Sequence, residues 1–175
     1  HQLYNLKISP QIAVFLNIYP EHLDYYRDFE EYLFAKQNIT RYQTEKDYFV
    51  FNSQDKYIKE TAKITKAKKI PVKGKYFQLN KNAARAVGKI FKIPKKIIEE
   101  AIKDFKGLPH RLELVGKFKG ITFYNDALST IPETTIWAIK TLGKKVQTVL
   151  LGGFDRKLSF KDLAKFIVKN KNIKN

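Results

Sequence analysis

One histidine and one lysine stand where this chain invites chemistry. His22 lies in the loop Tyr19-Pro-Glu-His-Leu-Asp24, just past the apolar run Ile12-Ala-Val-Phe-Leu-Asn-Ile18. In open α/β sheets ligands gather beyond the carboxyl ends of the strands, so His22 stands where a ligand would bind. The plain alternative is an inert loop histidine, with Asp24 helping to start the next helix. Lys36 shares a helix face with Phe29, Tyr32, Leu33 and Ile39. A lysine on an apolar face either snorkels its ammonium outward along its alkyl stem or is held as a neutral amine able to add CO₂ and become a carbamate. A carbamate is an anionic oxygen ligand, which suits Mg²⁺.

Two further polar groups follow apolar segments in the same way. Asp126, Ser129 and Thr130 come just after Ile121–Tyr124, and Asp155 and Arg156 come after Val146–Leu151 and a Gly152-Gly153 pair. All of these side chains need rigid elements to hold them. The periodicity predicts strands at Ile12–Ile18, buried on both faces as in a parallel sheet, and at Asp47–Asn52. Short strand-like pieces are expected at Lys69–Val72 and Tyr76–Gln78. Helices are predicted over Asp28–Thr40, Gln54–Thr65, Lys81–Phe91 and up to Phe105, with Pro94 near the start of the last. A hairpin is expected from Arg111–Phe118 and Ile121–Tyr124 around Lys119-Gly120. A helix from Pro132 to Leu142, with Gly143 past its end, then a strand at Val146–Leu151 and a closing helix around Phe160–Ile167 complete the chain. The Gly107-Leu-Pro109 break divides this alternation into two α/β units.

Bulk properties narrow the class. With 175 residues, 43% of them hydrophobic, the chain can bury a real core. It has no cysteine, which excludes disulfides, thiolate metal sites and thiol redox chemistry. No run reaches the ~18 apolar residues of a membrane span, and the stretch from His1 has no signal-peptide layout, so a soluble, cytoplasmic piece of a longer protein is expected. The formal charge of +17 is the kind of footprint that phosphate backbones attract. The lysines are scattered rather than blocked, however, and abundant Lys, Asn, Ile, Tyr and Phe with sparse Gly is what an AT-rich coding sequence produces. No nucleic-acid partner is expected. A basic nucleic-acid-binding domain stays as the rival from a different class, recognisable by salt-dependent binding.

Four separated stretches carry a resemblance. They are F-K-G-L-P-H-R-L-E from Phe105 to Glu113, Y-N-D-x-x-x-T from Tyr124 to Thr130, L-L-G-G from Leu150 to Gly153, and L-N-I-x-x-E-H-L-D from Leu16 to Asp24 with Ala35-Lys36 beyond it. In this order they resemble the Mur ligases, and the G-L-P-H-R hinge resembles the glutamate-adding branch. The resemblance implies a partial central ATPase-type α/β domain over residues 1–108, followed by a partial Rossmann-like C-terminal ligase domain over residues 109–175. No G-x-x-x-x-G-K-[ST] loop is present; Val87-Gly-Lys-Ile90 and Leu142-Gly-Lys-Lys145 lack the upstream glycine spacing and the hydroxyl.

The resemblance further implies an ATP- and Mg²⁺-dependent ligase of peptidoglycan synthesis, a monomer when full length. ATP would phosphorylate the carboxylate of UDP-N-acetylmuramoyl-L-alanine, and the amine of glutamate would attack the acyl phosphate. His22 matches a Mg²⁺ ligand and Lys36 the lysine that is carbamylated. Asn82 matches an asparagine beside adenine, Arg111 an arginine that reaches the ATP phosphates on domain closure, and Asp126 a ribose contact. His110 matches a family histidine, or serves as a hinge residue bonded to backbone. Arg156, Ser129 and Thr130 are expected at the amino-acid substrate.

One departure bears on that substrate. Where the branch reads D-S-K-A-T-N, this chain has Asp126-Ala-Leu-Ser-Thr-Ile131. Leu128 replaces a lysine expected to pair with the carboxylate of the incoming amino acid, which a leucine cannot do. The alternatives are therefore a ligase for L-glutamate or another amino acid, or a non-catalytic paralogue.

Overall fold

The computed structural model describes residues 2–154 and 158–174. Asp155 and Arg156 lie outside the described residues. The chain forms two compact units, His1–Phe105 and Lys106–Asn175.

The first unit is built on a three-stranded parallel sheet in the order β1 (Ile12–Phe15), β2 (Tyr48–Asn52), β3 (Lys68–Val72). Helices α1 (Phe29–Arg41) and α2 (Lys56–Ile64) supply the crossovers that parallel strands require. Each begins at an aspartate: Asp28 accepts the Glu31 N–H, and Asp55 accepts those of Tyr57 and Ile58. Alternation along β2 splits the core in two. Phe49 and Phe51 pack with Tyr32, Ala35, Ile58 and Ala62 of α1 and α2. Val50 points the other way, packing with Leu79, Ala83 and Ala86 of α3 (Phe77–Ile90). The result is an α/β sandwich, with each fully buried large side chain such as Phe49 or Ile58 worth roughly 1.5–3 kcal/mol.

Helix α4 (Lys95–Asp104) lies on α3. Its Ile98 fits against Gly88, where an added Cβ would fall 2.7 Å from Ile98 Cδ1. Arg85 Nε and Nη2 grip the two oxygens of Glu99 at 2.7 Å each.

Two expectations are corrected in this unit. β1 is buried on one face only, through Ala13 and Phe15, because α3 covers β2 and β3 while Val14 remains exposed. Tyr76–Gln78 forms no strand. Gly74 at φ 150° and Tyr76 at φ 51° turn the chain directly into α3, so the aromatic pair that reads as β-prone starts a helix.

The second unit opens with an antiparallel hairpin of β4 (Glu113–Phe118) and β5 (Ile121–Asn125). Lys119 and Gly120 both have positive φ, 47° and 83°, which is the two-residue turn whose twist matches paired strands. Helix α5 (Pro132–Leu142) starts on a proline and stops at Gly143, where φ is 63°. It packs against α6 (Lys161–Lys169), burying Ile139 and Leu163.

The strand expected at Val146–Leu151 does not form. An apolar run becomes a strand only beside a neighbour with a free edge in register, and among the described residues none pairs with it. Leu150 is 92% exposed, and among the described residues the backbone bonds that reach the segment, from Lys174 N to Gln147 O at 2.8 Å and from Val146 N to Gly143 O at 3.3 Å, belong to no strand ladder. Among the described residues no helix is long and apolar enough to cross a membrane.

Candidate active site

In the first unit the loop after β1 and one face of α1 come together. The Lys36 side chain is half-buried and lines a cavity of about 340 Å³ with Leu3, Val14, Asn17, Ile18 and Tyr32 among its walls. Lys36 Nζ lies 5.4 Å from the centroid of the Tyr32 ring, a cation–π distance. The His22 ring meets the same tyrosine at 6.1 Å between centroids, tilted by 54°. His22 and Lys36, far apart in sequence, thus share one neighbour. The lysine occupies the core face, as its spacing predicts, with its head at the open end of β1.

Local conformation sets the turn that carries His22. His22 has φ 59°, a left-handed value in which histidine is over-represented among non-glycine residues. Its carbonyl accepts the N–H groups of Tyr25 and Tyr26 at 3.0 Å each, closing the turn that leads to α1. Tyr32 is 5% exposed, and burial pushes its hydroxyl up to about 12, with the charge of Glu21 adding to the effect. On the far side of Lys36, buried Asn38 donates to the carbonyls of Leu3 and Tyr4 at 2.9 and 3.1 Å, holding the segment that walls the cavity.

Among the described residues no three His, Cys, Asp or Glu side chains converge on one point. A cation here would not be enclosed by carboxylates. An imidazole together with a lysine that had taken up CO₂ would leave most of a coordination shell to water and phosphate, a donor set that would fit Mg²⁺, which keeps several waters and takes few protein ligands.

Asn82 lies apart from this pair, on α3 across the sheet from α1. Its Nδ2 donates to the Lys73 carbonyl at 2.6 Å, and its Oδ1 accepts from Gln78 Nε2 and Arg85 Nη1, both at 3.0 Å. The amide is therefore oriented by the same arginine that grips Glu99.

In the second unit the hinge segment and the loop after β5 are laced together. Asp126 Oδ1 accepts the Leu112 N–H at 2.9 Å, and its Oδ2 accepts the Ser129 hydroxyl. Arg111 Nη1 donates to the Leu128 carbonyl at 2.8 Å, and the Leu128 N–H donates to the His110 carbonyl at 3.1 Å. The His110 ring bonds through Nδ1 to the Asn125 amide at 2.8 Å, a side-chain partner, while the backbone bond is made by the His110 carbonyl. Thr130 is exposed, with its N–H on the Leu128 carbonyl. Leu128 is 44% exposed, an apolar side chain in a polar loop. Arg156, expected at the substrate, lies outside the described residues. The sequence reading counted Tyr32 only as a core residue, although its place four residues before Lys36 on one helix face was the available signal.

The profile of the Mur ligase middle domain matches residues 1–121. The chain belongs to the Mur ligase family. Curated relatives agree: it is 34% identical to the UDP-N-acetylmuramoylalanine–D-glutamate ligase of Streptococcus agalactiae over 93% of this chain and 43% of that protein. The corresponding proteins of Thermosipho melanesiensis and Enterococcus hirae are each 31% identical, over 85% and 88% of this chain and 38% and 40% of their own lengths. This Mur ligase chain thus spans about two-fifths of the length of the curated relatives it matches. The matched middle domain takes in His22, Lys36, Asn82 and Arg111, while Asp126 and Leu128 lie beyond it.

Proposed function

We propose that this chain serves an ATP- and Mg²⁺-dependent ligase that joins D-glutamate to UDP-N-acetylmuramoyl-L-alanine in cytoplasmic peptidoglycan synthesis, as a monomer. The observation that carries the reading is the convergence of His22 and Lys36 on Tyr32 at the carboxyl end of β1, in a chain of this family. Residues 1–108 would form part of the ATP-binding central domain and residues 109–175 part of the amino-acid-binding domain.

Each side chain has a defined task in this reading. His22 and Lys36, the latter as its carbamate, would hold Mg²⁺, and the ion would supply charge neutralisation for the phosphates. Asn82 offers adenine an amide whose orientation is already set by Arg85. Arg111 offers the phosphates a guanidinium that is anchored through one of its five N–H groups and keeps the rest. Asp126 meets the ribose. Ser129, Thr130 and Arg156 would bind the incoming amino acid, whose amine would displace phosphate to form the peptide bond. Catalysis of this kind depends on positioning and charge compensation more than on covalent chemistry.

Leu128 favours a second reading. A leucine cannot pair with the carboxylate of an incoming amino acid, so the acceptor would be L-glutamate or another amino acid, or catalysis would be lost. The experiment for the main reading is Lys36→Ala and His22→Ala in the full-length protein, assayed by ATP-dependent ligation. Both are expected to lose at least about a hundredfold in rate with the fold intact; wild-type turnover in Lys36→Ala would sink it.

A further inference from the structure

The Tyr32 ring lies beside both proposed metal-site side chains. Lys36 Nζ is 5.4 Å from its ring centroid and the His22 ring 6.1 Å from it. The ring is itself held in place. It is 5% exposed, belongs to the core cluster beneath β1 and β2, and packs on Tyr26 and Phe29 at centroid distances of 5.3 and 6.4 Å. Tyr32 also forms part of the cavity wall that Lys36 lines. Helical spacing places it one turn before Lys36, whereas His22 arrives from a separate loop.

We infer that Tyr32 is the positioning residue of this site, its ring serving as the shared wall that holds the Lys36 amine and the His22 imidazole toward one point. The inference rests on the reading of His22 and Lys36 given above. Its logic is entropic. A lysine has four rotatable bonds, and a ligand that must be immobilised when the ion arrives loses affinity that a pre-held ligand keeps. Groups supporting metal ligands commonly change metal affinity by about 10- to 100-fold. The feature that matters here is the ring and its bulk, since both contacts are made to the ring, so a phenylalanine would serve and an aliphatic side chain would not.

The test uses the full-length protein with ¹³C-bicarbonate and a non-hydrolysable ATP analogue. The carbamate carbon signal, assigned by its disappearance in Lys36→Ala, is followed as Mg²⁺ is added. Tyr32→Phe is expected to keep the wild-type Mg²⁺ midpoint within about twofold, and Tyr32→Leu to raise it about tenfold. Tyr32→Leu should likewise raise the Mg²⁺ needed for half-maximal turnover while leaving kcat at saturating Mg²⁺ within about threefold, a split that general loosening of the core would not produce. If Tyr32→Leu does not fold, Tyr32→Met fills the space without a ring and carries the same expectation. A ringless variant with the wild-type midpoint, or a Phe variant as impaired as Leu, overturns the inference and leaves the functional reading standing. A wild type with no carbamate signal at any Mg²⁺ concentration overturns both.

Discussion

Asp126 accepts the backbone N–H of Leu112 at 2.9 Å, so the loop that carries Ser129 is tied to the segment that carries Arg111. The same carboxylate takes the Ser129 hydroxyl on its other oxygen. Asp126→Ala is expected to leave the Leu112 N–H without its partner and cost about 1–3 kcal/mol. Asp126→Asn, which keeps an acceptor oxygen, should cost less. Urea unfolding of the full-length protein, read by a probe in this unit, checks the order of the two variants.

Asn38 makes the corresponding tie in the first unit. At 3% exposure it donates to two successive carbonyls, Leu3 and Tyr4, and its own Oδ1 accepts Arg41 Nε at 3.0 Å. Asn38→Ala should destabilise by roughly 1–3 kcal/mol and free the Leu3–Tyr4 segment for early proteolytic cleavage. Thermal unfolding together with limited proteolysis would show both effects.

Close packing of α4 on α3 predicts a penalty at Gly88. An alanine there would bring its Cβ within 2.7 and 2.9 Å of Ile98 Cδ1 and Cγ1, and Ile98 is itself buried. Helix propensity favours alanine by about 1 kcal/mol, while overpacking costs typically 1–3 kcal/mol. Gly88→Ala is therefore expected to lower Tm, and Gly88→Ala with Ile98→Val to recover part of the loss.

Stability should fall at both extremes of pH, for opposite reasons. Asp28 is held below the usual carboxylate range by the Glu31 N–H and then by Arg27, Glu31 by the Tyr4 hydroxyl and then the Arg27 N–H, and Glu99 by Arg85. Each is lower in the folded state than in the unfolded chain, so its contribution is complete above the ordinary carboxylate value of about 4 and is lost as pH falls through the folded value. Tyr32 is shifted the other way, from 10.0 to about 12 by burial, so its contribution is complete below 10.0 and is lost as pH rises toward 12. Unfolding measured across pH should show an alkaline loss that Tyr32→Phe reduces and an acid loss that it leaves unchanged.

Much of this architecture is legible in the residues because local and tertiary signals agree. Pro132 and Gly143 bracket α5 and Lys119-Gly120 turns the hairpin, whereas α1 is capped by Asp28 and not by Asp24. Where the signals part, local reading fails. Tyr76–Gln78 has β-prone aromatics, but the backbone at Gly74 and Tyr76 delivers them to a helix. Val146–Leu151 has the composition of a buried strand, yet strand formation depends on a partner that local sequence does not specify. The same distinction holds in the site. Lys36 is conspicuous because a cation on an apolar face is odd, and Asp126 because it ends a strand. That Tyr32 touches both His22 and Lys36, or that Asp126 bonds Leu112, depends on which loops meet in space.

The most direct measurement is phosphate release from ATP by the full-length protein with UDP-N-acetylmuramoyl-L-alanine, adding D-glutamate or L-glutamate in parallel. Release that requires D-glutamate is the predicted result, and it would mean that the cation absent at Leu128 is replaced by another group. Release that requires L-glutamate, or none with either, would contradict the proposed substrate.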